Sequence, residues 1–151
     1  MRFLQNSPHL LEQAYDATHR LLGPFRRWLK PGGVVERVFV KGEEITKGAM
    51  FNCQMCGQCV LHSTGMTCPM NCPKNLRNGP CGGVRPNGHC EIIPDMPCVW
   101  LEAWERSKKM PVYGKEILNV LPPVNRRLQG TSAWINDLTG EAQKPPAGWS
   151  E

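Results

Sequence analysis

A chain of 151 residues, 40% of them hydrophobic and with 15 Gly and 14 Pro, has room for one modest domain. So much turn-forming backbone argues against a fold held by apolar burial alone. The formal charge of +5 invites a nucleic-acid partner, but that sum counts eight thiols as neutral; two tetrathiolate sites at about −2 each would leave about +1. No apolar run reaches the roughly 18 residues of a membrane span, and the first residues, "MRFLQNSPHLLEQAYDATHR", hold no leader-peptide core. We therefore expect a soluble cytoplasmic protein, where thiols stay reduced and serve as metal ligands rather than disulfides.

Ser7-Pro8 followed by "HLLEQAYDATHRLL" predicts an amphipathic helix, with Ser as cap and Pro at the first helical position. Leu11, Ala14, Thr18, Leu21, Leu22 and Phe25 fall at helical spacing and make its apolar stripe. Gly23-Pro24 should end or kink it. "VVERVFV", Val34 to Val40, is β-branched and partly alternating, which predicts a short strand, and "KGEEITKGAMFN" then reads as a loop. After the cysteines, "CVWLEAWERSKK" predicts a short helix with Trp100 and Trp104 one turn apart and Lys108 and Lys109 at its end. Residues 111–151 show no sustained period and read as an extended C-terminal tail, with Trp134, Ile135 and Leu138 apolar enough to rest on this domain or on a partner. The expected fold is thus a small, irregular, metal-cluster-organised α-rich (α+β) domain with few short helices and little strand. Its expected parts are 1–49 (helix, strand and linker), 50–110 (cysteine-rich) and 111–151 (tail, docking a partner).

All eight cysteines lie between Cys53 and Cys98. Cys53, Cys56 and Cys59 form C-x-x-C-x-x-C, the run by which ferredoxin-type segments wrap successive corners of one iron–sulfur cubane. A tetrahedral zinc is more often clasped by two C-x-x-C knuckles, and Cys68, Cys72, Cys81, Cys90 and Cys98 supply no second knuckle. Cys68-Pro69 and Cys72-Pro73 echo the Cys-Pro ending of ferredoxin runs. Two [4Fe-4S] clusters are the economical use of eight thiolates; zinc, one cluster plus zinc, or one cluster with spare thiols are the alternatives. Spacing does not say which sulfurs go together, and a trial grouping joins Cys53, Cys56 and Cys59 with Cys98, leaving Cys68, Cys72, Cys81 and Cys90. Glycines of "NGPCGG" would let amides approach sulfur, and Lys74, Arg77 and Arg85 would offset negative charge. His62 and His89 sit beside cysteines but read as hydrogen-bonded surface histidines. No dinucleotide-binding glycine motif, P-loop or Ser-His-Asp set is present, and a radical-initiating C-x-x-x-C-x-x-C fails at Asn75. A chain built this way suits passing electrons or bracing a partner better than catalysis.

"CQMCGQCVLHSTGMTCPMNCPKNLRNGPCGGVRPNGHCE" followed by "MPCVWLEAWER" resembles the methylenetetrahydrofolate reductase C-terminal domain family. Its members are fused behind a flavin-binding reductase barrel or stand alone as MetV-type accessory subunits. The resemblance covers about Met50 to Arg106 and all eight cysteines, and its "CPKxLRNGPCGG" stretch is far more selective than a lone C-x-x-C. It implies a non-catalytic subunit, inactive alone, paired with a flavin-binding TIM-barrel methylenetetrahydrofolate reductase subunit in one-carbon (folate) metabolism. The flavin would sit on the partner chain only, with a further electron-donor protein upstream, and neither membrane nor nucleic acid involved. Metal-ligand roles carry over to Cys53, Cys56, Cys59, Cys68, Cys72, Cys81, Cys90 and Cys98. Two readings compete with an electron relay: a structural zinc-binding scaffold of the same reductase, and a zinc-dependent nucleic-acid-binding module. The second has Arg26, Arg27, Arg126 and Arg127 in its favour but no finger spacing and no alternating basic and aromatic face.

Overall fold

The computed structural model describes residues 7–146, 148 and 149. Helix α1 (Pro8–Leu22) starts where Ser7-Pro8 predicts. Pro8 occupies a position whose N–H has no intrahelical partner, and the Ser7 carbonyl, not its hydroxyl, accepts from the N–H groups of Leu10 and Leu11 at 3.1 and 3.5 Å. Gly23-Pro24 ends the helix as expected, and the chain continues in a 3-10 turn (Gly23–Arg27). The anticipated apolar stripe divides: Leu11 packs on the core, whereas Leu21 and Phe25 are exposed. The buried centre of α1 is instead Glu12, 1% exposed, whose Oε1 accepts the backbone N–H groups of Val112 and Tyr113 at 3.1 and 2.6 Å.

The expected strand over Val34 to Val40 does not form, nor the loop after it; both lie in one helix, α2 (Val34–Phe51). The β-branched run lowers intrinsic helix propensity by only a few tenths of a kcal/mol per residue, and tertiary bonds outweigh it. Glu36 accepts the N–H of Gly32 at 2.5 Å and that of Ser132 at 3.3 Å. About two, three and four helical turns further on, Glu43, Lys47 and Phe51 follow on the same buried face. Glu43 accepts from Lys47 Nζ at 2.6 Å, Ser132 Oγ at 2.5 Å, and the N–H groups of Ala133 and Trp134 at 3.3 and 3.2 Å. Of the valines that suggested a strand, Val34, Val35 and Val38 face outward and Val40 is half-buried.

Helix α3 (Val99–Ser107) follows the last cysteine as predicted; Trp100 is buried, its Nε1 donating to the Leu76 carbonyl at 3.2 Å, and Trp104 is exposed beneath the Lys108 ammonium. Residues past 110 are not an extended tail. They make 3-10 turns at Gly114–Leu118 and Arg126–Leu128 and a fourth helix, α4 (Ala133–Thr139), capped by Ser132 Oγ accepting from Ile135 N–H at 3.2 Å. Ile135 is fully buried and Trp134 stacks on Tyr15 at 5.2 Å, so the apolar residues of this segment do rest on the domain. Among the described residues the fold is small and helical, with four α-helices and, for β-structure, a single antiparallel bridge between His89 and Pro97. None of these helices is long and apolar enough to cross a membrane. The core joins Phe51, Cys56, Leu61, Met66, Cys68, Met70 and Met110, so sulfur-bearing side chains make up most of it.

Candidate metal centre

Three residues in left-handed conformation, Asn52 (φ 51°), Met55 (φ 48°) and Gly57 (φ 73°), coil the chain as it leaves α2. Asn52 serves as the left-handed cap. At Gly57 a Cβ would stand 2.1 Å from the Leu128 carbonyl oxygen, so both the dihedral and the space call for glycine. The coil delivers Cys53, Cys56 and Cys59 around a void. A 3-10 turn (Leu61–Ser63) and the bonds Met66 N–H to Leu61 O (2.9 Å) and Thr67 N–H to Thr64 O (3.0 Å) reverse the chain and return Cys68 to the same void. Lys47, Glu43 and Arg77 complete its wall. The C-terminal segment straps this loop: Gly130 N–H donates to Met55 O at 2.8 Å, and Asn136 Nδ2 to Gly57 O at 2.9 Å.

The other four sulfurs line a second void, with Lys74, Glu91 and Trp100 beside them. A tight loop brings Cys90 to Cys98: Cys90 N–H donates to Met96 O at 2.9 Å, Cys98 N–H to Gly88 O at 3.0 Å, and the His89–Pro97 bridge lies between. Cys72 and Cys81 close the set, Cys81 being exposed. The trial grouping therefore has two members exchanged. Cys68 lines the void of Cys53, Cys56 and Cys59, and Cys98 that of Cys72, Cys81 and Cys90, because chain reversals at Leu61–Thr67 and Gly88–Cys98, not the intervals between sulfurs, set both placements. The sets are neighbours, since Cys68 and Cys72 flank a single 3-10 turn (Pro69–Asn71); four residues span at most about 14 Å between Cα atoms.

Charge and hydrogen bonding separate the two sets. Burial pushes the Cys53 and Cys59 thiols up and raises Cys68 to about 12, so thiolates here need a compensating cation. Burial opposes the charge of Lys47, but attraction from Cys59, Glu43 and Cys53 holds its ammonium above the ordinary lysine range. Burial also pulls the Arg77 guanidinium down, against the attraction of Cys56. Its Nη2 donates to Gln58 O at 3.2 Å, while Nε and Nη1 are buried without a partner. A buried cation with two idle donors beside four sulfurs suits an anionic occupant, and a tetrathiolate [4Fe-4S] group carries about −2. Amides already approach sulfur, from Met55 to Cys53 Sγ at 3.3 Å and from Gly83 to Cys81 Sγ at 3.4 Å. In the second set Lys74 is paired with Glu91, and Arg85 donates to the carbonyls of Cys90 and Glu91 at 3.2 and 3.4 Å.

Among the described residues no three His, Cys, Asp or Glu side chains converge as one metal ion requires. A lone zinc needs four donors about 2.0–2.3 Å from one point, whereas a cubane offers four separate irons. Neither histidine lines either of the two cysteine-lined voids: His89 Nδ1 lies 2.7 Å from Pro94 O, and His62 stacks on Tyr15 at 5.0 Å with its Nε2 3.4 Å from Glu116. Glu43 and Lys47 escaped the sequence reading because that stretch reads as a loop; helical spacing of Glu36, Glu43 and Lys47 was the available signal.

A family model described as Methylene-tetrahydrofolate reductase C terminal matches residues 33–127, more than half of the chain and all eight cysteines. No curated protein and no solved structure matches the chain.

Proposed function

The chain belongs to the methylene-tetrahydrofolate reductase C-terminal family, and on that premise we propose that it is the iron–sulfur electron-transfer subunit of a methylenetetrahydrofolate reductase assembly. Cys53, Cys56, Cys59 and Cys68 would hold one [4Fe-4S] cluster and Cys72, Cys81, Cys90 and Cys98 the other. A separate TIM-barrel chain would bind flavin and folate. The observation that carries the reading is the division of eight sulfurs into two sets of four around two voids. A bound cubane exchanges single electrons, which a flavin combines into two-electron chemistry.

The chain's own residues supply position and field. Lys47 and Arg77 keep positive charge on the buried set, and the Met55 and Gly83 amides reach one sulfur in each set. Exposed Cys81 puts the second set nearer solvent, and the Pro69–Asn71 turn keeps the two sets adjacent. That order suits entry of electrons at the second set and exit from the first.

Anaerobic purification with iron, sulfide and zinc analysis of one sample tests the inventory; about 8 iron and 8 sulfide per chain are expected. A colourless preparation fully loaded with zinc would replace the relay by a structural zinc scaffold. Cys68→Ser should remove the same spectroscopic signal as Cys59→Ser, and Cys98→Ser the same as Cys90→Ser. The chain alone should have no reductase activity, and adding it to the purified barrel subunit should speed reduction by a low-potential donor.

A further inference from the structure

Helix α2 turns its charged stripe inward and its apolar stripe outward. Glu36, Glu43 and Lys47 are buried, while Val34 (71% exposed), Val38 (68%) and Ile45 (69%) share the opposite face at i, i+4 and i+11. The turn before it behaves likewise. Phe25 and Trp28, three residues apart on a 3-10 turn, are exposed, Trp28 by 81%, and this spacing puts them on one side. The turn is not a loose loop: Leu29 is buried beneath it, Leu29 N–H bonds to Phe25 O at 3.2 Å, the turn packs against α4, and Glu36 grips Gly32. Two aromatic rings on the turn and a row of stiff β-branched side chains on α2 are thus held toward solvent by elements that both pack against α4.

Charge concentrates in the same stretch. Residues 20–41 hold six cations, Arg20, Arg26, Arg27, Lys30, Arg37 and Lys41, against the single carboxylate of Glu36, a net +5 equal to the formal charge of the entire chain. Arg20 and Lys41 pair with Asp16 and Glu44. Arg26, Arg27, Lys30 and Arg37 are exposed and enter no ion pair among the described residues.

We infer that this face, the 23–28 turn and the outer stripe of α2, docks the catalytic partner chain, and that the partner presents an apolar centre rimmed by carboxylates. The inference rests on the subunit role proposed above and adds where and by what chemistry the partner is held. Charge complementarity selects an acidic rim. The β-branched stripe, locked in one rotamer along about 16 Å of helix, suits a partner of fixed shape rather than a fluid lipid surface. Pre-organisation of Phe25 and Trp28 cuts the ordering cost of binding.

The test is titration of the intact, cluster-loaded chain against the purified barrel subunit at low and high salt, with retained helix content and iron checked for every variant. Trp28→Ala with Val38→Ser should weaken binding by about 10-fold or more. Arg26→Glu with Arg27→Glu should slow association and flatten its salt dependence. Val120→Ser, a change at an equally exposed residue elsewhere, should bind as the parent does. Parent-like binding by the first two variants overturns this docking face and leaves the subunit role standing. If the parent itself does not bind the barrel chain, the subunit role falls and takes this partner with it. Parent binding to phosphatidylserine vesicles, lost in the same variants, would assign the face to lipid and overturn a protein occupant.

Discussion

Replacing Glu43 by Gln tests the claim that a buried ionic node, not apolar packing, joins the N-terminal and C-terminal parts of the fold. The carboxylate takes four donors: Lys47 Nζ, Ser132 Oγ and the first two N–H groups of α4. The amide has the same shape but loses the charge, and its NH₂ must confront either the Lys47 ammonium or an α4 amide. Breaking a buried pair from one side costs about 3–5 kcal/mol. Lys47 retains attraction to the sulfurs of Cys59 and Cys53, which argues for the lower end, about 3 kcal/mol. Against a total stability of about 5–15 kcal/mol that is a large fraction. The assay is anaerobic urea unfolding, in which the midpoint should fall by about 1–3 M. Glu44→Gln, on the exposed side of the same helix, should leave the midpoint unchanged. A double variant with Lys47→Met should be less costly than the two single changes summed. A loss below about 1 kcal/mol for Glu43→Gln, or strict additivity with Lys47→Met, would refute the node.

Gly57→Ala should destabilise the chain by more than the roughly 1–3 kcal/mol of a left-handed non-glycine residue alone, because the new Cβ meets the Leu128 carbonyl at 2.1 Å; thermal unfolding measures it, and a neutral outcome would contradict the strapped-loop geometry. Arg77→Gln removes a buried positive charge beside the first sulfur set. The redox potential of that set alone should become more negative by spectroelectrochemistry, and an equal shift in both sets would speak against this placement. Burial lowers the pKa of His62 below its unfolded value of 6.5, against the pull of Glu116 and Asp137 and with the help of His19. The unfolded chain therefore takes up the proton first, so the contribution is constant above about pH 6.5 and is lost as pH falls from there toward the folded value. His62→Phe keeps a ring on Tyr15 and should remove that part of the acid sensitivity, read as the change in urea midpoint between about pH 7.5 and 5.5.

The parts legible in the chain itself were those whose cause is local or compositional. Ser7-Pro8 and Gly23-Pro24 bound α1 because proline and glycine act on their own backbone, and the α3 segment carries its own helical spacing. Eight cysteines gathered in a proline-rich stretch are visible as a sulfur-dense centre whatever the fold. Three features were decided only by tertiary structure. Val34 to Val40 joins α2 because Glu36 and Glu43 bond to residues about ninety positions away, partners no local window contains. The grouping of Cys68 and Cys98 follows from chain reversals at Leu61–Thr67 and Gly88–Cys98, which spacing between sulfurs does not encode. The segment after residue 110 folds back because buried carboxylates and sulfur-lined loops elsewhere offer its amides partners. Hydrogen-bond satisfaction of buried backbone groups is a property of the assembled chain, so it overrules propensity wherever the two disagree.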